Sequence, residues 1–375
     1  MLQSIINLYK KFQNKPIENS ITFNNPTYEY SDFENGELFN QVLNKCIQEH
    51  TDITGVAGTG KSNFITILTN KLYKEKRTYI MCANAISELN SHFQKHLITD
   101  NILLFCLKSH KSHTIDINYL FSLDSFLNFI CISNIEKDIV IKNNYSTWFN
   151  FFDDEENSKL LKEGYYYKLR ELIKIGLIDD YGDLNKDSCK RTNSVYLTLQ
   201  DKAYYYNISE EDKNQYIFFL NILQLSLNQK ETINVLFDEG KIFFDGYRNS
   251  YIKSLNIEGI KSNFIFCSQL LEDVFKDTQI ICFKGHMHNN FKNDYLDEDI
   301  RHLQLDILDL KPGCFYLFDK QMNKFAKNPI KVPFIDEKIE IQWHLFLNNK
   351  QTKMHKQLQL DLIVNDKPTE KKLKI

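Results

Sequence analysis

The stretch Gly55-Val56-Ala57-Gly58-Thr59-Gly60-Lys61-Ser62 limits what this chain can fold into more than any other, because it spells G-x-x-x-x-G-K-[ST]. Glycines in that pattern let successive backbone N–H groups turn inward around a phosphate. The lysine reaches the outer phosphates, and the hydroxyl after it binds Mg2+. The flanks agree. Thr51-Asp52-Ile53-Thr54 reads as a short strand, and Asn63 to Tyr73, apolar at Phe64, Ile67, Leu68 and Leu72, reads as a helix whose N-terminus faces the phosphates. Gly55, Gly58, Thr59, Gly60, Lys61 and Ser62 are the candidate phosphate-binding residues. Lys61 is also a candidate catalytic group, and Ser62 a candidate metal ligand.

With 375 residues the chain has room for two domains, or for one large domain with an insertion, and the second arrangement is expected. Its 46 basic and 49 acidic residues leave a net charge of −3, so any contact with nucleic acid has to come from a local patch. The abundance of Tyr and Phe, 20 and 28, reads first as genome composition rather than as a stacking surface. Eight cysteines without a C-x-x-C or a zinc-ligand spacing read as reduced thiols, several of them, such as Cys82, Cys106, Cys267 and Cys282, inside apolar runs. No apolar run reaches the roughly 18 residues of a membrane span, and Met1 to Gln13 lacks the form of a signal peptide, so a cytoplasmic protein is expected.

In order along the chain, a short helix is expected over Leu2 to Phe12 and a second from about Asn35 to His50, packed at the edge of the nucleotide domain. After the glycine-rich loop and its helix come a strand at Arg77 to Ala83, a helix through Phe93 and a strand at Asn101 to Leu107. That alternation argues for an α/β sheet of parallel strands. From Leu123 to Gln229 helical periodicity dominates, which marks an inserted module. The expected division is 1–122 for the first part of the ATPase domain, 123–229 for the insertion, 230–330 for the second part and 331–375 for a charged tail.

Within the insertion, Ser158 to Ile178 reads as helical. The stretch ending Gly176-Leu177-Ile178, followed by turn-rich residues and Ser194-Val-Tyr-Leu-Thr-Leu199, resembles a winged helix with its hairpin wing. Ser158 to Lys174 carries five basic residues (Lys159, Lys162, Lys168, Arg170, Lys174) against Glu163 and Glu171, with three tyrosines at Tyr165 to Tyr167. Such a helix suits phosphates and stacked bases. A solvated face over an apolar stripe gives the same pattern.

The sheet resumes at Thr232 to Phe237, which runs into Asp238-Glu239. On the strand beside the loop such a pair serves a phosphoryl-transfer site, Asp238 holding Mg2+ through water and Glu239 deprotonating the attacking water. Asn263 to Ser268 is followed by Gln269, an amide placed either to contact the γ-phosphate or lytic water or to cap the next helix. Gln279 to Phe283 reads as a further strand, and Pro312-Gly313 as a turn feeding a last apolar strand to Asp319.

This order of parts resembles the HerA/FtsK-type ATPases, and among them the type IV coupling proteins of the TraG/TraD kind. The resemblance runs through the loop after His50-Thr-Asp-Ile-Thr-Gly55, the long insertion, the Asp-Glu strand, the strand ending in Gln269 and Leu310-Lys-Pro-Gly313. It implies a P-loop α/β fold with a largely parallel, RecA-like sheet and an inserted helical domain. It also implies ATP and Mg2+ as cofactors, DNA as substrate, a homo-oligomeric ring, commonly a hexamer, and a relaxase or nuclease partner. Asn84 stands where coupling proteins carry an aspartate, and their amino-terminal membrane segments have no counterpart. For an arginine finger across the ring boundary the candidates are Arg248 and Arg301, with Lys261 nearer the expected place. Two other readings stand beside this one. Ile53-Thr-Gly-Val-Ala-Gly-Thr-Gly-Lys-Ser62 also resembles RecD-like helicases, although about 135 residues after Glu239 leave little room for a second motor domain. The other is an ATP-switched DNA-binding regulator that is not a motor.

Overall fold

A computed structural model of the protein describes residues 36–85, 102–108, 115–116, 123–143, 148–179, 193–200, 208–227, 231–238, 255–269, 279–285, 307–319, 324–325 and 328–333. The strands in chain order are β1 (Thr51–Thr54), β2 (Tyr79–Ala85), β3 (Ile102–Cys106), β4 (Ile115–Asp116), β5 (Ile178–Asp179), β6 (Ser194–Gln200), β7 (Ile233–Phe237), β8 (Ser262–Ser268), β9 (Gln279–Phe283), β10 (Cys314–Asp319), β11 (Lys324–Phe325) and β12 (Ile330–Lys331). The α-helices are α1 (Gly36–Gln48), α2 (Lys61–Lys74), α3 (Leu123–Ile130), α4 (Asn134–Asn143), α5 (Trp148–Asp153), α6 (Tyr165–Lys174) and α7 (Glu210–Leu227).

Ten of the strands form one sheet, in the order β11-β10-β9-β1-β8-β7-β2-β6-β3, with β12 also on β10. From β9 across to β3 every pairing is parallel, and β10 turns antiparallel onto β9. A parallel sheet has to be covered on both faces, and the strands supply an apolar side chain to each in alternation. On β2, Tyr79, Met81 and Ala83 join one core with α1 and α2, whereas Ile80 and Cys82 join the other with α3, α5, α6 and α7. In the first core Phe64 of α2 sits edge-on to Phe39 of α1 and to Phe315 of β10, at ring-centroid distances of 5.8 and 5.6 Å.

Several sequence expectations change here. Helix α1 lies over a face of the sheet beside α2 rather than at an edge. Ser194–Gln200 is no wing strand: β6 runs between β2 and β3, parallel to both, so the span 123–229 lends a strand to the main sheet. After α6, Ile178–Asp179 form β5, which pairs in parallel with β4. Ser158 to Ile178 is not one helix either. A 3-10 turn over Glu155–Leu160 stops at Leu161, and α6 begins anew after Gly164, whose φ of 77° is a conformation that glycine adopts without strain. The expected helices at Leu2 to Phe12, through Phe93 and directly after Gln269, and nearly all of the tail, lie outside the described residues. Among the described residues no helix is long and apolar enough to cross a membrane. Six of the seven described cysteines are buried, and no disulfide joins any of the seven. Burial pushes the Cys82 thiol up to about 12.

The end of the sheet where the parallel strands begin is fastened by side-chain amides. Asn263 on β8 donates to the Cys46 carbonyl at 2.7 Å and to the Asn234 side chain on β7 at 3.2 Å. Asn234 donates to the Thr78 carbonyl, and Asn193 to that of Lys76. His50, just before β1, accepts the Phe264 N–H on Nδ1 at 3.0 Å and stacks on the Phe264 ring. Protonation at Nδ1 would destroy that acceptor. Burial accordingly holds His50 below its ordinary 6.5, against a smaller opposing pull from Asn263. Because the unfolded chain takes up the proton first, the stability contributed by neutral His50 is complete above pH 6.5 and is lost as the pH falls below it. Urea melts from pH 7.5 to 5 will show that loss, and His50→Gln will flatten this part of the profile.

Candidate active site

The glycine-rich loop leaves β1 at the carboxyl ends of the parallel strands, where open α/β sheets bind their ligands. Its shape is set by other segments. The Val56 N–H donates to the Lys284 carbonyl at 2.8 Å, directly after β9, and the Gly313 N–H donates to the Thr59 carbonyl at 2.8 Å. Inside the loop the Thr59 hydroxyl donates to the Val56 carbonyl, also at 2.8 Å. Gly55, Gly58 and Gly60 have φ of 152°, 77° and 111°. A β-carbon on Gly55 would fall 2.6 Å from Cβ of Phe283, and one on Gly60 would fall 3.2 Å from Cα of Gly313, whereas one on Gly58 would meet nothing within 4 Å.

Helix α2 then starts at Lys61 with Gly60 as N-cap, without a side-chain cap and without an acidic residue in its first turn. The first N–H groups of a helix need outside acceptors, and the helix dipole favours an anion there. The Lys61 ammonium is buried and lies over the loop, donating to the carbonyls of Gly55 at 2.5 Å and Val56 at 3.0 Å. Helix start, inward lysine and crowded glycines together fit a polyphosphate.

The Asp-Glu strand is not beside the loop strand. β8 runs between β1 and β7, so the strand ending in Gln269 is the loop's direct neighbour, with Thr54 opposite Ser268. Asp238 follows β7 and is buried, and its N–H is held by the Cys82 carbonyl at 2.9 Å. Gln269 is exposed at the end of β8. The loop, Gln269 and Asp238 thus close three adjacent strands at the same end of the sheet. Glu239, Arg248 and Arg301 lie outside the described residues; Lys261 is exposed just before β8 begins, at the opposite end of the sheet. Asn84, at the end of β2, accepts from the Gln200 side chain of β6 at 3.3 Å, an inter-strand tie. Mg2+ suits Ser62 and Asp238. No group of three or more His, Cys, Asp or Glu among the described residues could hold a metal ion. Bound there, it would neutralise charge on the transferring phosphoryl group.

The five cations expected to act together on Ser158 to Lys174 are divided by the fold. Lys159 pairs with Glu156, and Lys174 with Glu171. Arg170 stands over the Tyr166 ring. Lys162 and Lys168 face a different surface, over the rings of Phe129, Tyr165 and Phe218. The sequence reading missed Gly313, although Lys311-Pro-Gly313 was recognisable as a turn. It also missed Phe129 and Phe218, which lie far from α6 in sequence.

No family model matches the chain, and no curated protein does. Among solved structures it is similar to the genome-packaging NTPase B204 of Sulfolobus turreted icosahedral virus 2 in complex with ATP-gammaS, with 12% identity over 76% of this chain and 98% of that one and a TM-score of 0.36. VirB4 of Thermoanaerobacter pseudethanolicus is similar at 11% identity, over 79% and 91% of the two chains, with a TM-score of 0.43. The bacterial conjugative coupling protein TrwBdeltaN70 is similar at 9% identity, over 77% and 86%, with a TM-score of 0.41.

The loop geometry yields a paired test. Gly60→Ala, which crowds the Gly313 backbone, will weaken binding of a fluorescent ATP analogue at least tenfold. Gly58→Ala, strained in φ alone at about 1–2 kcal/mol, will weaken it much less. Titration of both variants beside the unaltered protein checks the difference.

Proposed function

We propose that this chain is a P-loop ATPase that acts as a DNA-handling motor of the HerA/FtsK and coupling-protein type. The observation that carries the ATPase reading is the meeting of the Gly55–Ser62 loop, Gln269 and Asp238 at the carboxyl ends of β1, β8 and β7. In this reading Lys61 moves from the loop carbonyls to the β- and γ-phosphates, and Ser62 and Asp238 hold Mg2+. Glu239, next in the chain after Asp238, takes the proton of the attacking water, and Gln269 contacts the γ-phosphate or that water. DNA as substrate is supported by the order of the nucleotide motifs around a helical module in which Lys162 and Lys168 form no ion pair among the described residues. A homo-oligomeric ring, with Arg301 or Arg248 reaching across its boundary and a relaxase or nuclease as partner, completes the proposal.

Lys61→Ala will abolish hydrolysis without unfolding the protein, because it removes the charge that stabilises the transferring phosphoryl group. Glu239→Gln will retain ATP and Mg2+ but turn over at least a hundredfold more slowly. Asp238→Asn will chiefly weaken the Mg2+-dependent part of binding. Phosphate release with and without single- and double-stranded DNA, together with the particle mass before and after ATP addition, tests the motor. Hydrolysis indifferent to DNA would point to the switch reading instead.

A further inference from the structure

Helices α3, α6 and α7 and the segment before β8 enclose an open groove of about 1150 Å3. It exceeds the ~300–1,000 Å3 of small-molecule clefts. Its wall is a cluster of three rings. Phe129 of α3 stacks on Phe218 of α7 at 5.9 Å, and Tyr165 of α6 meets Phe218 edge-on at 4.8 Å and Phe129 at 5.4 Å. Two ammonium groups are held against these rings: Lys162 lies 5.7 Å from the Phe129 centroid, and Lys168 lies 5.4 Å from that of Phe218. Unlike Lys159 and Lys174 on the same stretch of chain, neither forms an ion pair among the described residues. Glu258 is the one carboxylate among the lining residues. Three exposed asparagines, Asn134, Asn214 and Asn256, also line the groove, and their amides make no hydrogen bond among the described residues.

We propose that this groove binds a single strand of DNA, the lysines meeting phosphates while the ring cluster and the free amides receive unpaired bases. Resting on the DNA reading above, the inference gives that reading a place and a strandedness. A duplex offers phosphates to the lysines but keeps its base faces stacked inside, so the ring wall rewards only bases that have left a duplex. Amides bond to base edges, which an apolar protein segment would leave unpaired. The groove also has a direct mechanical link to the nucleotide. Ile257 and Ile260 on its rim immediately precede β8, and Gln269 follows the far end of that strand. Seven residues of strand, at ~3.3 Å each, make a stiff rod of about 20 Å between the two sites.

The test is fluorescence anisotropy with a labelled twenty-nucleotide oligothymidylate and, in parallel, a duplex of the same length, at several salt concentrations. The expected result is that K162A/K168A weakens single-strand binding about tenfold and lowers the salt slope by roughly 0.7 per lost contact. Tyr165→Leu, which keeps an apolar side chain in the cluster, is expected to weaken it about tenfold with the slope unchanged. K159A/K174A is expected to bind as the unaltered protein does. Basal ATPase and melting temperature, measured on every variant, confirm that the fold is kept. Photo-crosslinking of a bromodeoxyuridine oligonucleotide to the unaltered protein needs no variant, and peptides containing Phe129, Tyr165 or Phe218 are expected to carry the crosslinks. Single-strand binding untouched by the groove substitutions, or crosslinks elsewhere, overturns the groove and leaves the DNA reading standing. Equal affinity for the duplex, with Tyr165→Leu silent, overturns strandedness. If the unaltered protein binds neither DNA and its ATPase ignores both, the DNA reading itself falls, and the groove proposal with it.

Discussion

At the nucleotide end, the structure depends on approaches too close to admit a β-carbon. Gly60 lies against Gly313, and Gly55 against Phe283, so the loop is moulded by the ends of two distant segments as well as by its own sequence. Those segments are placed by register. Thr54 is level with Cys282 on β9, and Phe283 is level with Phe315 on β10. A slip of one residue on either strand would turn its side chains to the opposite face and carry the contact away from the loop. The antiparallel strand β10 therefore earns its place by delivering Pro312-Gly313 to Thr59 as much as by extending the sheet.

The same sheet separates two differently packed faces. On one face α1 and α2 pack as a tight aromatic layer in which Phe64, at the base of the loop helix, meets Phe39, Phe283 and Phe315. Movement of α2 is therefore resisted by rings from three other elements. On the other face the helical module rests on α7, whose side chains are buried almost continuously from Tyr216 to Leu227. The groove is built on that second face, away from the loop helix. Among the described residues, β8 is the element that runs from the groove's rim to Gln269.

How much of this could be read from the sequence follows from how local each signal is. The loop, its strand and its helix are contiguous, and their chemistry is written in eight residues. The parallel strands announced themselves as short apolar runs because both their faces are covered. What failed was the pairing of distant segments. β6 is buried at every position but Gln200, the mark of an interior parallel strand rather than of a wing with one wet face. Its closeness to a glycine and a turn drew it toward a hairpin instead. The order β1-β8-β7 was likewise invisible, since nothing in Asp238-Glu239 says which strand stands between it and the loop. In the cation cluster, charge was legible but partnership was not. Glu156 and Glu171 neutralise Lys159 and Lys174 through helical spacing, whereas the rings under Lys162 and Lys168 come from α3 and α7.

The amides at the opposite end of the sheet have a consequence of another kind. Asn193, Asn234 and Asn263 tie strands and helix α1 together without a single formal charge. These amide ties offer dissolved ions no charge to screen, whereas the lysine-bearing face of the helical module is open to them. Ionic strength is therefore a selective instrument for this molecule, weakening charge contacts on that face while the amide fastening at the far end of the sheet stays indifferent.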